Sequence, residues 1–560
     1  MQKFKTTILV IFIIFYGIIC SFLAYFHITV DQGHPSINVA TLENQERIEI
    51  AKDYYHFNNN WLRKNKWGLW EMYLEGNGYE RGLAHGKLTK ELIEFQEQVF
   101  VDKINQLIPS PSYIRLLRNI IAWFNRDIET YIPQEYKDEI YGISKSCNSR
   151  FNYIGPAYRR ILNYHGAHDI GHALQNLALV GCTSFAVNQN DSNNDLVLGR
   201  NFDFYVSDDF AKNVIVAHIN PSTGYSFTYI TWASFIGVAS GINEKGLTVT
   251  INAAKSVYPT ESAMPISLLA REILQYASNI DEAIAIAHKR KLFVSESIHI
   301  GSAKDNTSAI IEKTPDTLDV FKNNKTYLVC TNHFQGQLLG NTKLNKEDMA
   351  ESPSVYRQKR CEELIKNRPK PSIIQIAEIL RDRKGINNKI IGNGNEKAMN
   401  QLISHHSIIF NPAKQLLWIS THPYQLGEYL AYSNLDFKPY ESIKNYSLEI
   451  DSLIIPADSF LYSQEYKNYK VFKENKSKLQ TTLFKGINID KFDKFANEII
   501  NNNPNYYYGY MIIGDYYYEH ENMEKAKEFY KKSLKLEIEH RSSIIKMKKR
   551  IQEITNANKG

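Results

Sequence analysis

Residues 177–187, Leu-Ala-Leu-Val-Gly-Cys-Thr-Ser-Phe-Ala-Val, mark the point at which the pattern of the sequence changes. Upstream, within residues 65–180, apolar residues recur at helical spacing, notably over 91–108. The quoted stretch is typical of a strand, 188–195 is a cluster of turn residues, and 196–204, Leu-Val-Leu-Gly-Arg-Asn-Phe-Asp-Phe, predicts a second strand. We expect the two strands to form a hairpin that opens with a Gly-Cys pair.

Further strands follow this hairpin, with a helix over 262–289. The predicted strands cover residues 213–219, 226–231, 236–242, 247–253, 297–301, 307–312, 318–322, 326–331, 406–410 and 415–420. Helices beside runs of antiparallel strands predict a layered α+β domain.

The N-terminal residues differ from the remainder of the chain. Lys3 and Lys5 precede an apolar run from Ile8 to Phe26 that contains no charge. A helix over this run is about 28 Å long, roughly one hydrocarbon core. It predicts an uncleaved signal anchor at 1–30, with the rest of the chain outside the cytoplasm, periplasmic or at the cell surface. A cleaved signal peptide, and hence a secreted protein, is the alternative.

The end of the chain predicts a helical tail. Residues 504–538 are typical of a helix-turn-helix whose small and aromatic residues fall at the offsets of one tetratricopeptide repeat. These residues are Tyr510, Gly514, Tyr517, Ala526 and Tyr530. Such a tail is a candidate for docking a protein partner.

Composition excludes several classes of protein. The chain has 560 residues and a net charge of +6, from 66 basic and 60 acidic residues, which is too balanced for a nucleic-acid binder. Five cysteines, none in a CxxC pair, cannot build a disulfide framework. HExxH, P-loop and dinucleotide-binding motifs are absent from the sequence, so we expect no cofactor and no metal.

Three histidines need separate consideration. His165, His168 and His172 would share one helix face, with Asp169 among them. Metal binding is one interpretation, and a polar helix face is the favoured one.

Cys182 is the candidate nucleophile, with Arg200 and Asp203 as polar supports on the next strand. Taken alone, Cys182 would be interpreted as a small buried residue, and Arg200 with Asp203 as an ordinary ion pair. On a regular strand, Arg200 and Asp203 would point to opposite faces, so a bulge or a strand end near Asn201 is needed to bring both to one site.

Four further motifs occur in order around this hairpin. Residues 76–86, Gly-Asn-Gly-Tyr-Glu-Arg-Gly-Leu-Ala-His-Gly, precede it, and residues 241–252, Gly-Ile-Asn-Glu-Lys-Gly-Leu-Thr-Val-Thr-Ile-Asn, follow it. Thr331-Asn332-His333 and Ser354-Val-Tyr-Arg357 come later. Residues 406–412 fit a closing hairpin.

Together these motifs resemble the cysteine Ntn hydrolases, over roughly residues 65–425. The nearest branch is the acyl-CoA:6-aminopenicillanate acyltransferase family, with choloylglycine hydrolases and penicillin V acylases as relatives. The resemblance implies a four-layer αββα fold and a precursor that cuts itself between Gly181 and Cys182. The new α-amino group of Cys182 would then act as the base for its own thiol.

The resemblance also implies a role for each matching residue. Arg200 would supply fixed positive charge near the thiolate, and Asp203 would hold the α-ammonium group or Arg200. Asn252 would donate to the oxyanion, Asn332 would be a second active-site asparagine, and a late arginine would be Arg357, with Arg360 as the alternative. The implied site is therefore Cys182, Arg200, Asp203, Asn252, Asn332 and Arg357.

The function expected from this resemblance is an amidohydrolase that cleaves the amide bond of a small N-acyl substrate through a thioester on Cys182. Acyl transfer to an amine is one alternative, and a non-catalytic binding protein with a degenerate core and a docking tail is another. The expected organisation is an anchor at 1–30, a stalk at 31–64, a propeptide-like helical chain at 65–181, the catalytic core at 182–430, a linker at 431–475 and the helical tail at 476–560.

Overall fold

A computed structural model describes most of the chain. The described residues are 12–22, 24–25, 33–35, 40–107, 110–166, 179–188, 195–256 and 261–557.

The larger of two main sheets contains eleven described strands, and all its pairings are antiparallel except β4 with β9. In spatial order they are β1 (Ile48–Ala51), β2 (Tyr54–Phe57), β3 (Asn60–Lys64), β4 (Trp70–Gly76), β9 (Ile215–Pro221), β10 (Phe227–Thr231), β11 (Ser240–Asn243), β12 (Leu247–Ala253), β13 (Glu296–Ser302), β14 (Thr307–Lys313) and β15 (Leu318–Phe321).

The smaller sheet contains six described strands, and the predicted hairpin lies within it. In spatial order they are β16 (Tyr327–Cys330), β6 (Thr183–Asn188), β7 (Leu196–Phe202), β17 (His406–Asn411), β18 (Leu416–Ser420) and β19 (Tyr429–Ser433). A separate short pair joins β5 (Leu179–Val180) to β8 (Phe204–Tyr205).

Helices flank the sheets and form the end of the chain. Among the described residues from 40 onward, the α-helices are α1 (Ala40–Glu43), α2 (Gly78–Leu88), α3 (Lys90–Leu107), α4 (Pro111–Phe124), α5 (Gln134–Ser144), α6 (Ala157–His165), α7 (Ile266–Tyr276), α8 (Ile280–Lys289), α9 (Lys343–Glu351), α10 (Ser354–Lys366), α11 (Ile373–Leu380), α12 (Tyr440–Ile443), α13 (Gln464–Lys485), α14 (Phe492–Asn502), α15 (Tyr507–Glu519), α16 (Met523–Ser533) and α17 (Arg541–Ala557).

Three apolar clusters define four layers. One cluster lies between the two sheets and combines residues such as Val216 of β9 with Leu198 of β7. A second joins the other face of the larger sheet to α2, α5 and α7. A third joins the smaller sheet to α10 and α11. The central strands, such as β7 and β12, are buried on both faces, whereas the outer strands β1 and β15 are exposed or half-buried.

The glycines of residues 76–86 explain how α2 crosses α5. Gly78 and Gly82 lie against the backbone carbonyls of Glu135 and Glu139, and a Cβ at either glycine would overlap with those carbonyls. At the crossing, Glu139 of α5 accepts from Arg81 of α2 at 2.7 Å. The Gly-x-x-x-Gly spacing therefore sets the close approach of the two helices.

The mixed α/β class and the C-terminal helical region are confirmed. The residues expected to form a stalk differ from that expectation, because 48–64 include β1, β2 and β3, which extend the larger sheet through β4. The predicted propeptide-like chain likewise contributes β4, paired in parallel with β9 of the predicted core.

The predicted membrane anchor is wrong. Residues 12–22 and 24–25 are helical, but among the described residues no helix has both the length and the apolar character needed to cross a bilayer. The remainder of the predicted span, residues 8–11, 23 and 26, lies outside the described residues. The membrane-anchored localisation inferred from the run is corrected accordingly.

Gly82, at the α2–α5 crossing, and Gly509, in α15, should respond differently to substitution by alanine. Gly82→Ala should lower the free energy of unfolding by about 1–3 kcal/mol, because the methyl group displaces the α5 backbone. Gly509→Ala in α15 is the matched control, since its nearest neighbour would be a Phe472 ring carbon at 3.3 Å. That change should be neutral or stabilise by up to about 1 kcal/mol. Denaturant unfolding of both variants checks the difference, and equal effects would contradict the close crossing.

Candidate functional site

The Gly181–Cys182 bond lies between two paired segments. Just before it, β5 pairs with β8, and β6 begins just after it. The Gly181 N–H donates to the carbonyl oxygen of Asp203 at 2.9 Å. Cys182 is fully buried, so the uncut chain holds its thiol away from solvent.

Arg200 lies beside the Cys182 thiol and spans the space between the two sheets. Its Nη2 is 3.7 Å from Cys182 Sγ and donates to the Ile251 carbonyl of β12 at 2.5 Å. Its Nη1 donates to the Ala239 carbonyl at 3.0 Å and to Ser240 Oγ. The guanidinium is fully buried and is held by carbonyls and one hydroxyl, so its positive charge remains available to the sulfur.

Asp203 reaches the same site because strand β7 ends at Phe202. Asp203 occupies the break between β7 and β8, as the opposite-face argument required. Its carboxylate accepts from Ser404 Oγ and from Gln401 Nε2, the latter at 3.3 Å. Burial raises the pKa of Asp203 to about 7, while the Ser404 hydrogen bond and the charges of Arg357 and Arg200 act in the opposite direction.

Burial favours the protonated form of the thiol in the uncut chain. Burial raises the pKa of Cys182 to about 11, and the Arg200 charge lowers it by a smaller amount. A thiolate therefore needs either a base at the site or exposure that follows bond cleavage.

The two asparagines and the late arginine form one adjoining network. Arg357 donates to Thr183 Oγ1 at 3.2 Å and to Asn332 Oδ1 at 2.5 Å. Asn332 donates to the Ala253 carbonyl at 2.9 Å. Asn252, the neighbour of Ala253, donates to the Cys330 carbonyl at 3.1 Å. Its Oδ1 lies 3.5 Å from Ser184 Oγ on the hairpin.

The choice between the two late arginines follows from their partners. Arg357 contacts Thr183, the residue after the candidate nucleophile. Arg360 is bonded to Asp382 and Glu363 instead. Of the two candidates, Arg357 lies beside the candidate nucleophile, and the six predicted residues lie in one neighbourhood of the structure.

Gln401 is a site residue that the sequence did not reveal. Its Nε2 donates to the Gly181 carbonyl oxygen at 2.6 Å, which is the carbonyl of the expected scissile bond. A Cβ at position 181 would displace the Gln401 amide, so the glycine allows this side chain to approach the Gly181 carbonyl closely. Gln401 precedes a strand in an irregular loop, where no periodic pattern identifies it.

The histidines serve other purposes. His165 is buried, with Nδ1 bonded to the Ile161 carbonyl and Nε2 accepting from the Ile236 N–H, so it is a core residue. His168 and His172 lie outside the described residues. His406 Nε2 lies 2.8 Å from Ser240 Oγ, which also bonds Arg200, so the pair His405 and His406 borders the site.

Comparison with known proteins gives a family match over part of this region. Residues 189–423 match the model of the family described as acyl-coenzyme A:6-aminopenicillanic acid acyl-transferase. The resemblance predicted from the sequence motifs is confirmed. The matched range contains five of the predicted site residues and begins seven residues after Cys182. It ends before the helical tail, so it gives no support to the predicted repeat or to a protein partner.

Two known proteins are similar to part of this chain at low sequence identity. Protein dcd1B of Dictyostelium discoideum is 26% identical over 269 residues, covering 45% of this chain and 51% of the relative. The N-acylethanolamine-hydrolyzing acid amidase of Caenorhabditis elegans is 25% identical over 238 residues, covering 40% of this chain and 62% of the relative. The chain spans about half the length of the first relative and somewhat more of the second. The matching family and the second relative are described as an acyl-transferase and an amide-hydrolysing enzyme, which are the two reaction types expected from the sequence.

A solved structure of a Caenorhabditis elegans N-acylethanolamine-hydrolyzing acid amidase ortholog is also similar to the chain. It covers 41% of this chain and 93% of its own, with 18% identity and a TM-score of 0.30.

The raised pKa of Asp203 predicts a pH effect on stability. Between its ordinary pKa near 4 and the folded value of about 7, the folded state keeps a proton that the unfolded state has lost. Asp203 therefore lowers the free energy of unfolding as pH rises from about 4 to about 7. In a Cys182→Ala background, adding Asp203→Asn should reduce the stability lost over that pH range.

Urea unfolding at several pH values measures this difference. Glu71 and Glu312, whose pKa values burial also raises to about 7, are present in both chains and cancel in the comparison. Identical pH profiles for the two chains would show that Asp203 ionises normally in the fold.

Proposed function

We propose that the chain is a self-cleaving cysteine N-terminal-nucleophile amidohydrolase with the Ntn-type four-layer core, cut between Gly181 and Cys182. One observation carries the proposal. The buried Cys182 thiol lies 3.7 Å from a buried guanidinium, and the preceding carbonyl already accepts a hydrogen bond. A peptide bond with a thiol on one side and an oxyanion donor on the other is arranged for internal acyl transfer.

In the proposed self-cleavage, Cys182 Sγ attacks the Gly181 carbonyl carbon. A carbon–sulfur bond forms, the carbon–nitrogen bond breaks, and the thiol proton passes to the Cys182 nitrogen, which becomes an amine. Water then hydrolyses the thioester to a Gly181 carboxylate and a free Cys182 thiol. Gln401 Nε2 lies where negative charge develops on the carbonyl oxygen.

Cleavage supplies the base that the uncut chain lacks. An α-amino group has an ordinary pKa near 7.7–8.0 and can accept the thiol proton at neutral pH. Asp203, whose backbone carbonyl already bonds the Gly181 N–H, is placed to pair with the new ammonium group. Arg200 then stabilises the thiolate through its fixed charge.

The proposed substrate is a small molecule with an N-acyl amide bond. The acyl group would be transferred to Cys182, the amine would leave, and water would release the acid. The name of the Caenorhabditis elegans relative, an N-acylethanolamine-hydrolyzing amidase, supports this class. The acyl-transferase name of the matching family favours an amine as a second acceptor in place of water.

Self-cleavage is the first test of the proposal. Purified wild-type chain should separate on a denaturing gel into two fragments, and the larger should begin at Cys182 by N-terminal sequencing. Cys182→Ala should remain one chain, because the attacking sulfur is lost. Cys361→Ala is the matched control, since Cys361 is also fully buried but lies in α10. An uncut wild-type chain would overturn the proposal.

Asn252 provides a test of the oxyanion role in turnover. In the cleaved enzyme, Asn252→Ala should lower kcat by about 10²–10³, the usual effect of removing one oxyanion donor. Asn434→Ala, a buried asparagine bonded to Gln415, is the control and should leave kcat unchanged. Release of amine from N-acylethanolamines, N-acyl amino acids, bile-salt conjugates and β-lactams measures turnover and ranks the substrates. Unchanged kcat in Asn252→Ala would remove this residue from the site.

A further inference from the structure

The loop that carries Gln401, residues 389–401, connects the candidate site to the C-terminal helices. We call it the bridging loop. At the site, its carbonyls accept hydrogen bonds from two buried side chains: Glu396 O accepts from Arg357 Nη1 at 2.9 Å, and Met399 O accepts from Asn201 Nδ2 at 2.8 Å. Gln401 completes this side through the Gly181 carbonyl.

The opposite side of the bridging loop is bonded to the turn between α16 and α17, residues 537–540. Glu539 Oε1 accepts from the Glu396 N–H at 2.7 Å, and the Glu537 carbonyl accepts from Asn395 Nδ2 at 3.1 Å. Lys397 forms an ion pair with Glu537 at 2.7 Å. Because Glu539 also accepts from Tyr507 OH at 3.0 Å, the turn is fixed to α15 as well.

A second observation, in the backbone, ties Gln401 to the same helices. The next residue, Leu402, has a φ of 56°, which is unusual for a residue with a side chain. Its side chain is buried in the apolar cluster of the C-terminal helices, with Tyr469 and Phe472 of α13. Such a conformation persists only where the surroundings hold it. The tail therefore fixes the backbone directly beside Gln401.

We propose that the C-terminal helices act as an internal clamp for self-cleavage, holding the bridging loop so that Gln401 polarises the carbonyl of the Gly181–Cys182 bond. This rests on the proposed self-cleaving function and assigns a role to the part of the chain beyond residue 423, where the family match ends. Gln401 is then a catalytic residue of the cutting step, since it touches the reacting oxygen. Glu539 is a positioning residue.

The movement of electrons in the cutting step fits this assignment. As Sγ adds to the carbonyl carbon, the electron pair of the carbon–oxygen double bond moves onto the oxygen that Gln401 already contacts. The Nε2 faces two acceptors, Gly181 O and Asp203 Oδ2, so the amide presents its N–H groups to the scissile carbonyl. When the tetrahedral intermediate collapses, the same donor remains on the thioester carbonyl.

The first arm of the test replaces the donor in the full-length chain. Gln401→Met keeps a similar volume without an N–H and should slow cleavage at Gly181–Cys182 by about 10²–10³. Gln425→Met, at another fully buried glutamine, should cut at the wild-type rate. Gln401→Asn, which keeps the amide but withdraws it, should also cut slowly if Gln401→Met fails to fold.

The second arm tests the clamp. Glu539→Leu should slow cleavage by about 10-fold or more at a temperature where its circular dichroism is that of the wild type. Glu539→Gln, which keeps an acceptor oxygen, should restore the rate. Burial raises the pKa of the Glu539 carboxyl to about 7, so a neutral amide is a close replacement. Arg550→Met, which breaks bonds to Asp515 and Glu519 within the tail, should lower the melting temperature and leave the cutting rate unchanged.

The outcomes separate the two proposals. A wild-type chain that is not cut overturns both. A cut wild type with equally fast Gln401→Met and Glu539→Leu overturns the clamp alone and leaves the proposed function standing. A slow Glu539→Leu that Glu539→Gln does not rescue shows that the tail acts through stability, which also overturns the clamp.

Discussion

The guanidinium of Arg200, buried between two sheets, is the constraint around which the rest of the core is arranged. It extends from β7 of the smaller sheet and is held by the Ala239 and Ile251 carbonyls of the facing sheet. A buried charge is costly unless it is hydrogen-bonded, so the register of the two sheets at this point is fixed. The same charge lies against the Cys182 sulfur and over the Phe202 ring, with 4.4 Å between the guanidinium carbon and the ring centre.

The uncut chain combines this charge with a thiol that is kept protonated. Burial dominates the pKa of Cys182, and only a change in its surroundings can favour the thiolate. In the proposed reaction, breaking the Gly181–Cys182 bond provides that change, because it adds an amine and opens the buried end of β6. Asp203, whose pKa burial raises to about 7, would then acquire a cationic partner that lowers its pKa.

Much of the core could be predicted from local pattern. The β6–β7 hairpin follows from two apolar strands around a turn cluster, and the strand end at Asp203 follows from the opposite-face argument. The positions of Asn252, Asn332 and Arg357 depended on resemblance, since each lies on a different element. Gln401 and Ser404 could not be predicted, because they lie in an irregular segment before β17 whose path is set by contacts with distant parts of the chain.

The apolar N-terminal run predicted an anchor from hydropathy alone, and the described helices do not contain a membrane span. Residues 48–64 were expected to form a stalk because their strands have only four or five residues each, and their pairing partner β4 lies later in the chain.

The most direct measurement is the mass of the large fragment after brief reaction with an N-acyl substrate at low pH, where thioesters persist. We expect its mass to rise by that of one acyl group, and peptide mapping should place the acyl group on the sulfur of an N-terminal Cys182 with a free α-amino group. An adduct on another residue, or turnover without any adduct at Cys182, would contradict a cysteine nucleophile at this position.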